Sequence, residues 1–311
     1  MSDDQYSLDK AQVRLAFSRA AQDYDAHAVL QSEVRAQMLE RLDLLNSPPT
    51  RILDLGCGTG VAGAALAKQF KHAHIISLDL SEAMLEKARA QHGGWGHWLQ
   101  KGLAKLGFAK QQQHHYLCAD MERLPLADAS VDMVWSNLAL QWCNDLDATF
   151  AEIHRVLKPD GALMFASFGP DTLKELRLAS LQVDGHIHVN RFIDMHDVGD
   201  ALVRAGFAGV VLDVDYFTLQ YAAVIDLMRD LKAIGAHNAA QGRRRGLSGR
   251  RFLQDLAQAY EAFRRDDKLP ASYEVVYGHA WRPQQKPSTK FDMPDVAPIN
   301  FVSKKDDGLE R

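Results

Sequence analysis

At 311 residues, 47% of them hydrophobic, the chain is long enough to bury one large core with a smaller accessory layer. A net charge of −4 carries no global signature of nucleic-acid binding, and no apolar run approaches the roughly 20 residues that a membrane span needs. Cys57, Cys118 and Cys143 are widely spaced with no Cys-x-x-Cys, which fits reduced thiols better than a disulfide framework or a zinc site. The opening Met1-Ser-Asp-Asp-Gln5 is acidic and lacks the basic and apolar regions of a signal peptide, so a cytoplasmic location is expected.

Residues 1–46 read as a helical N-terminal arm, closed by the punctuation Asn46-Ser-Pro-Pro-Thr50. Arg51-Ile-Leu-Asp-Leu-Gly-Cys-Gly-Thr-Gly60 then reads as a buried strand running into a glycine turn, with a helix from Val61. Such a junction turns backbone N–H groups and the positive end of a helix toward a small polar ligand. Gly56, Gly58 and Gly60 keep the turn free of Cβ atoms, and Asp54 ends the strand within reach of a ligand's amino group. A second strand, His74-Ile-Ile-Ser-Leu-Asp79, also ends in an acid, before Leu80-Ser81 and a helix from Glu82. Asp79 falls where a doubly wound sheet places the carboxylate that takes both ribose hydroxyls. The glycine spacing is one residue short of the dinucleotide fingerprint, which favours an adenosyl ligand without a pyrophosphate.

Residues 91–113 form a Gly-, His- and Gln-rich insert. Further strands are expected at 115–119, 131–136, 161–168 and 209–213, with Lys158-Pro-Asp-Gly161 as the turn before the fifth. Helical stretches at 222–234 and 248–264 precede a last strand at 273–281. The expected fold is therefore α/β, a seven-stranded, mostly parallel, Rossmann-like sheet with helices on both faces. It spans residues 47–282, with a helical insertion at about 214–270 as a lid, and residues 283–311 as a disordered tail.

Asp54-Leu-Gly-Cys-Gly-Thr-Gly60, Asp79-Leu-Ser-Glu-Ala-Met84, Ala119-Asp-Met-Glu-Arg-Leu-Pro125, Val131-Asp-Met-Val-Trp-Ser-Asn137 and Val156-Leu-Lys-Pro-Asp-Gly161 occur in that order. Together they resemble the successive motifs of the class I S-adenosylmethionine-dependent methyltransferases. Ala16-Phe-Ser-Arg-Ala-Ala-Gln-Asp-Tyr-Asp25, Trp135-Ser-Asn-Leu-Ala-Leu-Gln-Trp142, Asn190-Arg-Phe192 and Leu231-Lys-Ala-Ile-Gly-Ala236 narrow the likeness. They are similar to the malonyl-acyl carrier protein O-methyltransferases of biotin synthesis, over most of residues 10–282. Phe168-Gly-Pro-Asp-Thr-Leu-Lys-Glu-Leu-Arg177 and Ala205-Gly-Phe207 also resemble the complex I assembly-factor proteins associated with arginine hydroxylation. A non-catalytic protein that binds the cofactor is a third reading.

The resemblance implies S-adenosylmethionine as cofactor, with Asp54, Gly56, Gly58 and Gly60 around its methionine part, joined by Asn137 and Leu138. Asp79 and Leu80 fall on the ribose side, Asp120 accepts from the adenine amino group, and Met121 packs on the ring. Asp79 and Asp120 have an alternative reading as helix-capping acids. Tyr24 closes over the sulfonium or makes an ordinary contact between arm and core, and Gln141 and Trp142 border the acceptor pocket. Arg191 suits the malonyl carboxylate, because a fork of donors matches a carboxylate. An acidic carrier protein calls for a basic face, and the densest candidate is Arg243, Arg244 and Arg245 with Arg250 and Arg251, joined by Arg191, Arg229 and Lys232. Such a run is also common as a solvated helical face. His186-Ile-His188 lacks nearby supporting ligands, so no metal is expected.

Overall fold

The computed structural model describes residues 6–45, 47–92, 113–184, 186–236, 238–242 and 249–284. The arm comprises α1 (Lys10–Ala20), α2 (Tyr24–His27) and α3 (Val29–Glu40). Asp9 caps α1, its carboxylate accepting from the Ala11 and Gln12 N–H groups, which satisfies donors that a helix start leaves open.

Strands β1 (Arg51–Leu55), β2 (His74–Asp79), β3 (His114–Cys118), β4 (Val131–Asn137) and β5 (Leu157–Phe168) run parallel. β7 (Leu269–Trp281) is inserted antiparallel between β5 and β6 (Ala208–Tyr221), completing the order β3-β2-β1-β4-β5-β7-β6. Helices α4 (Val61–Gln69), α5 (Glu82–His92), α6 (Leu146–Val156), α7 (Lys174–Val183) and α8 (Met195–Arg204) connect the strands, and α9 (Val224–Ala233) and α10 (Arg250–Tyr260) lie between β6 and β7. β1 sits centrally with Ile52, Leu53 and Leu55 fully buried, as a strand covered on both faces requires. The chain leaves β1 toward β2 and β3 and then returns to β4 on the other side. The crevice at the carboxyl ends of β1 and β4 is thus the switch point where open α/β sheets bind ligands.

One core cluster covers one face of the sheet and ties the outlying pieces to it. Leu30, Val34 and Met38 of α3 share it with Ile52, Ile75 and Trp135 of the sheet, and with Leu227, Leu231, Phe252 and Leu256 of the two inserted helices. The opposite face packs Phe150, Ile153 and Val156 of α6 and Val198, Ala201 and Leu202 of α8. Those residues recur at the three- and four-residue spacing of an amphipathic helix.

Two expected boundaries are corrected. The sixth strand continues to Tyr221 because β7 pairs with it as far as Leu269, so the helical insertion begins at α9 rather than near 214. Lys158–Gly161 lies inside β5 as an irregularity, not a turn before it: Asp160 takes φ +64°, and the register against β4 jumps from Val131↔Leu157 to Met133↔Ala162. The expected insert falls almost wholly at 93–112, and nearly all of the expected tail at 285–311, outside the described residues.

Candidate active site

The loop after β1 is bent back on β2, with Gly56 N and Cys57 N donating to Leu78 O at 2.8 and 3.0 Å. Gly56, Gly58 and Gly60 all take left-handed backbone, φ +72°, +53° and +85°. What surrounds them differs. A Cβ on Gly56 would lie 2.2 Å from Ala139 Cβ, and one on Gly60 would lie 2.6 Å from Ala88 Cβ; on Gly58 it would meet nothing within 4 Å. Close packing therefore demands the outer two glycines, and the middle one borders open space.

Asp79 is locked in place: its Oδ2 accepts from Gly58 N at 2.9 Å and its Oδ1 from Ser81 N at 2.8 Å. Burial raises its carboxyl to about 6, although these N–H groups favour the anion. Asp54 is 1% exposed and accepts from the Gly63 N–H, yet its Oδ2 has no partner among the described residues. Burial, and then the neighbouring Asp79, raise it to about 7. A buried carboxylate oxygen without a hydrogen-bond partner calls for a donor, and a cationic one suits the anion. The ammonium of S-adenosylmethionine is such a donor, and Asp79 keeps acceptor capacity for the ribose hydroxyls, so the residues present fit that group.

The arm crosses every loop of this edge. Lys10 Nζ of α1 reaches Asp120 Oδ1 at 3.0 Å and Glu122 Oε1 at 2.8 Å, beyond β3, and Ser18 Oγ meets Ser81 Oγ at 2.9 Å, beyond β2. Thr59 Oγ1 of the glycine loop donates to Asp25 Oδ1 of α2 at 2.6 Å, and Asn137 Nδ2 at the end of β4 donates to Gln31 O of α3 at 3.0 Å. Arg35 of α3 adds a positive charge near Asp25, Tyr24 and Asp54. Tyr24 is pushed above the ordinary phenol range, by burial first and then by Asp79 and Asp25, so it stays an O–H donor at neutral pH.

Beside the cradle lies a cavity of about 250 Å³, bounded by Tyr24, Gln141, Phe168, Asn190, Leu231 and Tyr273. Phe17 of α1 stands edge-on to Trp142 at 5.1 Å and 88°, making one wall. Gln141 is held at both ends, Nε2 to Leu138 O at 2.7 Å and Oε1 near Ser167 Oγ at 3.5 Å. Leu138, the other wall residue at the end of β4, has φ +51°, a strained backbone for leucine that costs on the order of 1–3 kcal/mol. Among the described residues no Lys or Arg lines this cavity; its acid, Asp230 of α9, lies 3.2 Å from His27 Nδ1 of α2.

The structure thus brings together Tyr24, Asp54, Gly58, Asp79, Asn137 and Gln141. Leu80 sits outside that group, packed against Leu8, Val13 and Ala239. Met121 approaches Gly56, its Cε 3.8 Å from where a Cβ there would stand. Asp120 is engaged by Lys10 and by the Glu122 N–H. Arg191 does not line this cavity; it lines an adjoining open groove, its guanidinium 5.8 Å from the centre of the Tyr6 ring. Arg243, Arg244 and Arg245 lie outside the described residues, while Arg250 and Arg251 are exposed at the start of α10. His188 pairs with Asp184 at 2.7 Å and stacks on Phe252 at 4.8 Å, and no cluster of metal-ligating residues occurs among the described residues. No helix there is long and apolar enough to cross a membrane.

Sequence reasoning missed Thr59 as the arm's anchor, Lys10 and Arg35; it named Leu138 but not the strain in its backbone. Thr59 and Asp25 both stand inside the quoted motifs, but nothing local pairs residues 34 positions apart.

The methyltransferase domain family matches residues 53–165, and the protein-L-isoaspartate(D-aspartate) O-methyltransferase family matches residues 5–93. The malonyl-[acyl-carrier protein] O-methyltransferase of Methylovorus sp. is 58% identical over 302 residues, 97% of each chain. The protein of the same name from Gallionella capsiferriformans is 54% identical over 279 residues, 90% of this chain and 93% of its own. Among solved structures, a Bacillus halodurans protein assigned to the methyltransferases superposes with TM-score 0.53 at 18% identity, covering 80% of this chain and 99% of its own. That likeness speaks to the fold alone.

Proposed function

The chain belongs to the family of malonyl-[acyl-carrier protein] O-methyltransferases, and from that premise we propose that it methylates the free carboxylate of malonyl-acyl carrier protein, an early step of biotin synthesis. The observation that carries this reading is similarity running the length of both chains, through the arm and the inserted helices that enclose the cavity as well as the shared sheet motifs.

S-adenosylmethionine, when bound, supplies an electrophilic methyl on a sulfonium. Asp54 takes its ammonium, Asp79 its ribose hydroxyls, and Gly58 leaves the room it needs. The malonyl carboxylate is ionised at neutral pH, so the site needs no general base. Its task is alignment in a dry space, which supplies on the order of 7–11 kcal/mol of such barriers. Tyr24 and Gln141 are the donors placed to orient the carboxylate, and the aromatic wall of Phe17, Trp142 and Phe168 excludes water. That no Lys or Arg among the described residues lines the cavity suits this chemistry. A guanidinium fork there would hold charge on an oxygen that must give it up in the transition state.

An acidic carrier docks against basic side chains, with Arg250 and Arg251 of α10 and Arg191 as the candidates in the structure; Arg243, Arg244 and Arg245 are candidates from the sequence alone. Carrier and enzyme meet in the cytoplasm in this reading.

The decisive assay incubates purified protein with labelled cofactor and malonyl-carrier protein. Transfer of label into a base-labile methyl ester is expected. Cofactor binding without transfer to any malonyl thioester would leave only the non-catalytic reading, and label-free hydroxylation of a respiratory subunit would leave the arginine-modifying one.

A further inference from the structure

Arg177 of α7 is half-buried and lines the open groove that adjoins the acceptor cavity. Its helix separates the two spaces: Thr172 and Leu176 line the cavity, Ser180 and Leu181 the groove. The guanidinium makes one hydrogen bond, from Nη2 to Thr172 O at 2.8 Å, and no ion pair among the described residues includes it. Asp171 is the acid whose charge it feels, but Lys174 Nζ holds that carboxylate at 2.9 Å. Burial outweighs that help and lowers Arg177 below the ordinary guanidinium range. A guanidinium carries five N–H donors in a rigid fork, so most of them are left for an incoming partner. A cation taken partly out of water without a counter-ion is costly, and an arriving oxyanion relieves that cost.

The groove leads inward. Gln141, His188, Val189, Asn190 and Phe192 line both it and the cavity, and Ser167, beside Gln141, lies on the groove side. Its rim adds His186 and Arg191, while Arg250 and Arg251 stand next to Phe252, which stacks on His188. The groove's acids, Asp194 and Asp197, belong to the start of α8, where Asp194 is occupied in capping through His196 N at 2.8 Å.

We propose that this groove is the entrance for the acceptor thioester, and that Arg177 holds a phosphate oxyanion of that acceptor while its carboxylate lies in the cavity. The proposal rests on the reading of the chain as a malonyl-thioester methyltransferase. Arg177 acts on the acceptor, so its loss shows in KM.

The test measures initial rates of the full-length wild type, Arg177→Gln and Arg177→Lys with two acceptors. Malonyl-coenzyme A carries phosphate and carboxylate; malonyl-pantetheine carries the carboxylate alone. Arg177→Gln is expected to raise KM roughly tenfold or more with kcat nearly unchanged, as the loss of one charge-assisted contact implies, and Arg177→Lys to recover part of it. The rise is expected with malonyl-coenzyme A and not with malonyl-pantetheine; an equal rise with both overturns the assignment to phosphate. Cofactor affinity by calorimetry reports that each variant is folded. Unchanged KM for both acceptors overturns the proposal, as does a lowered Tm with unchanged KM, which would make Arg177 a support of the Thr172 carbonyl. A wild type without methyl transfer would instead overturn the function itself.

Discussion

Asp54 shows how one side chain can be legible in the sequence as a candidate site residue while its protonation state is set by the tertiary structure. Its place before the glycine turn announces a ligand; burial beside Asp79 is what raises its carboxyl to about 7. The unfolded chain ionises near 4. The neutral acid therefore contributes stability to the ligand-free protein below about pH 4, and that contribution is lost as pH rises through 7. Cofactor binding reverses the preference, since an ammonium favours the anion, so binding near neutral pH is expected to release a proton and to weaken as pH falls. Calorimetry in buffers of different ionisation enthalpy reads that proton. Asp54→Asn is expected to abolish the release and weaken cofactor affinity by about 10- to 100-fold, while raising the ligand-free Tm at pH 8. A variant that binds as tightly as wild type would refute this role. The glycines divide in the same way: the spacing marks all three, but the distances to Ala139 and Ala88 show that packing requires two of them and leaves Gly58 facing the open space.

Among the elements, the arm is the piece whose helices were readable and whose duty was not. Its polar contacts fall on the loops after β1, β2 and β3 and on the end of β4, so it closes the carboxyl edge proposed to hold the cofactor. The Asp25–Thr59 bond is the contact nearest the cradle. Cutting it by Thr59→Val is expected to speed cofactor release by about 5- to 20-fold, the worth of one hydrogen bond to a charged group, with a smaller effect on association. Stopped-flow displacement measures that rate; unchanged release would mean that the arm does not gate the cofactor. Element boundaries failed where pairing partners decide them. β6, an edge strand, alternates between exposed and half-buried residues except at Val214–Asp215, and extends to Tyr221 because β7 is there to take its hydrogen bonds. Lys158-Pro-Asp-Gly161 has the composition of a turn, and the neighbouring β4 holds it in the sheet.

For the whole molecule, arm, sheet and inserted helices share one hydrophobic core, with Val34, Trp135 and Leu256 all buried in it. Unfolding is accordingly expected as one cooperative transition, coincident by far-ultraviolet dichroism and by tryptophan fluorescence, with Tm raised by cofactor. Two separated transitions would show that the arm or the inserted helices fold apart from the sheet. The sequence by itself determined the doubly wound class, the family and the cofactor that the family uses, because these rest on local features: an apolar run, glycines at fixed spacing, an acid at a strand's end. The cavity, the absence of Lys and Arg from its lining among the described residues, the groove beside it, and Arg177 without an ion pair among those residues were decided only by the tertiary structure. Each is made by residues far apart in the chain, brought together where α2, α7, α9 and the segment 188–192 meet, and no local pattern records which distant side chains will share a space or leave a charge without its partner.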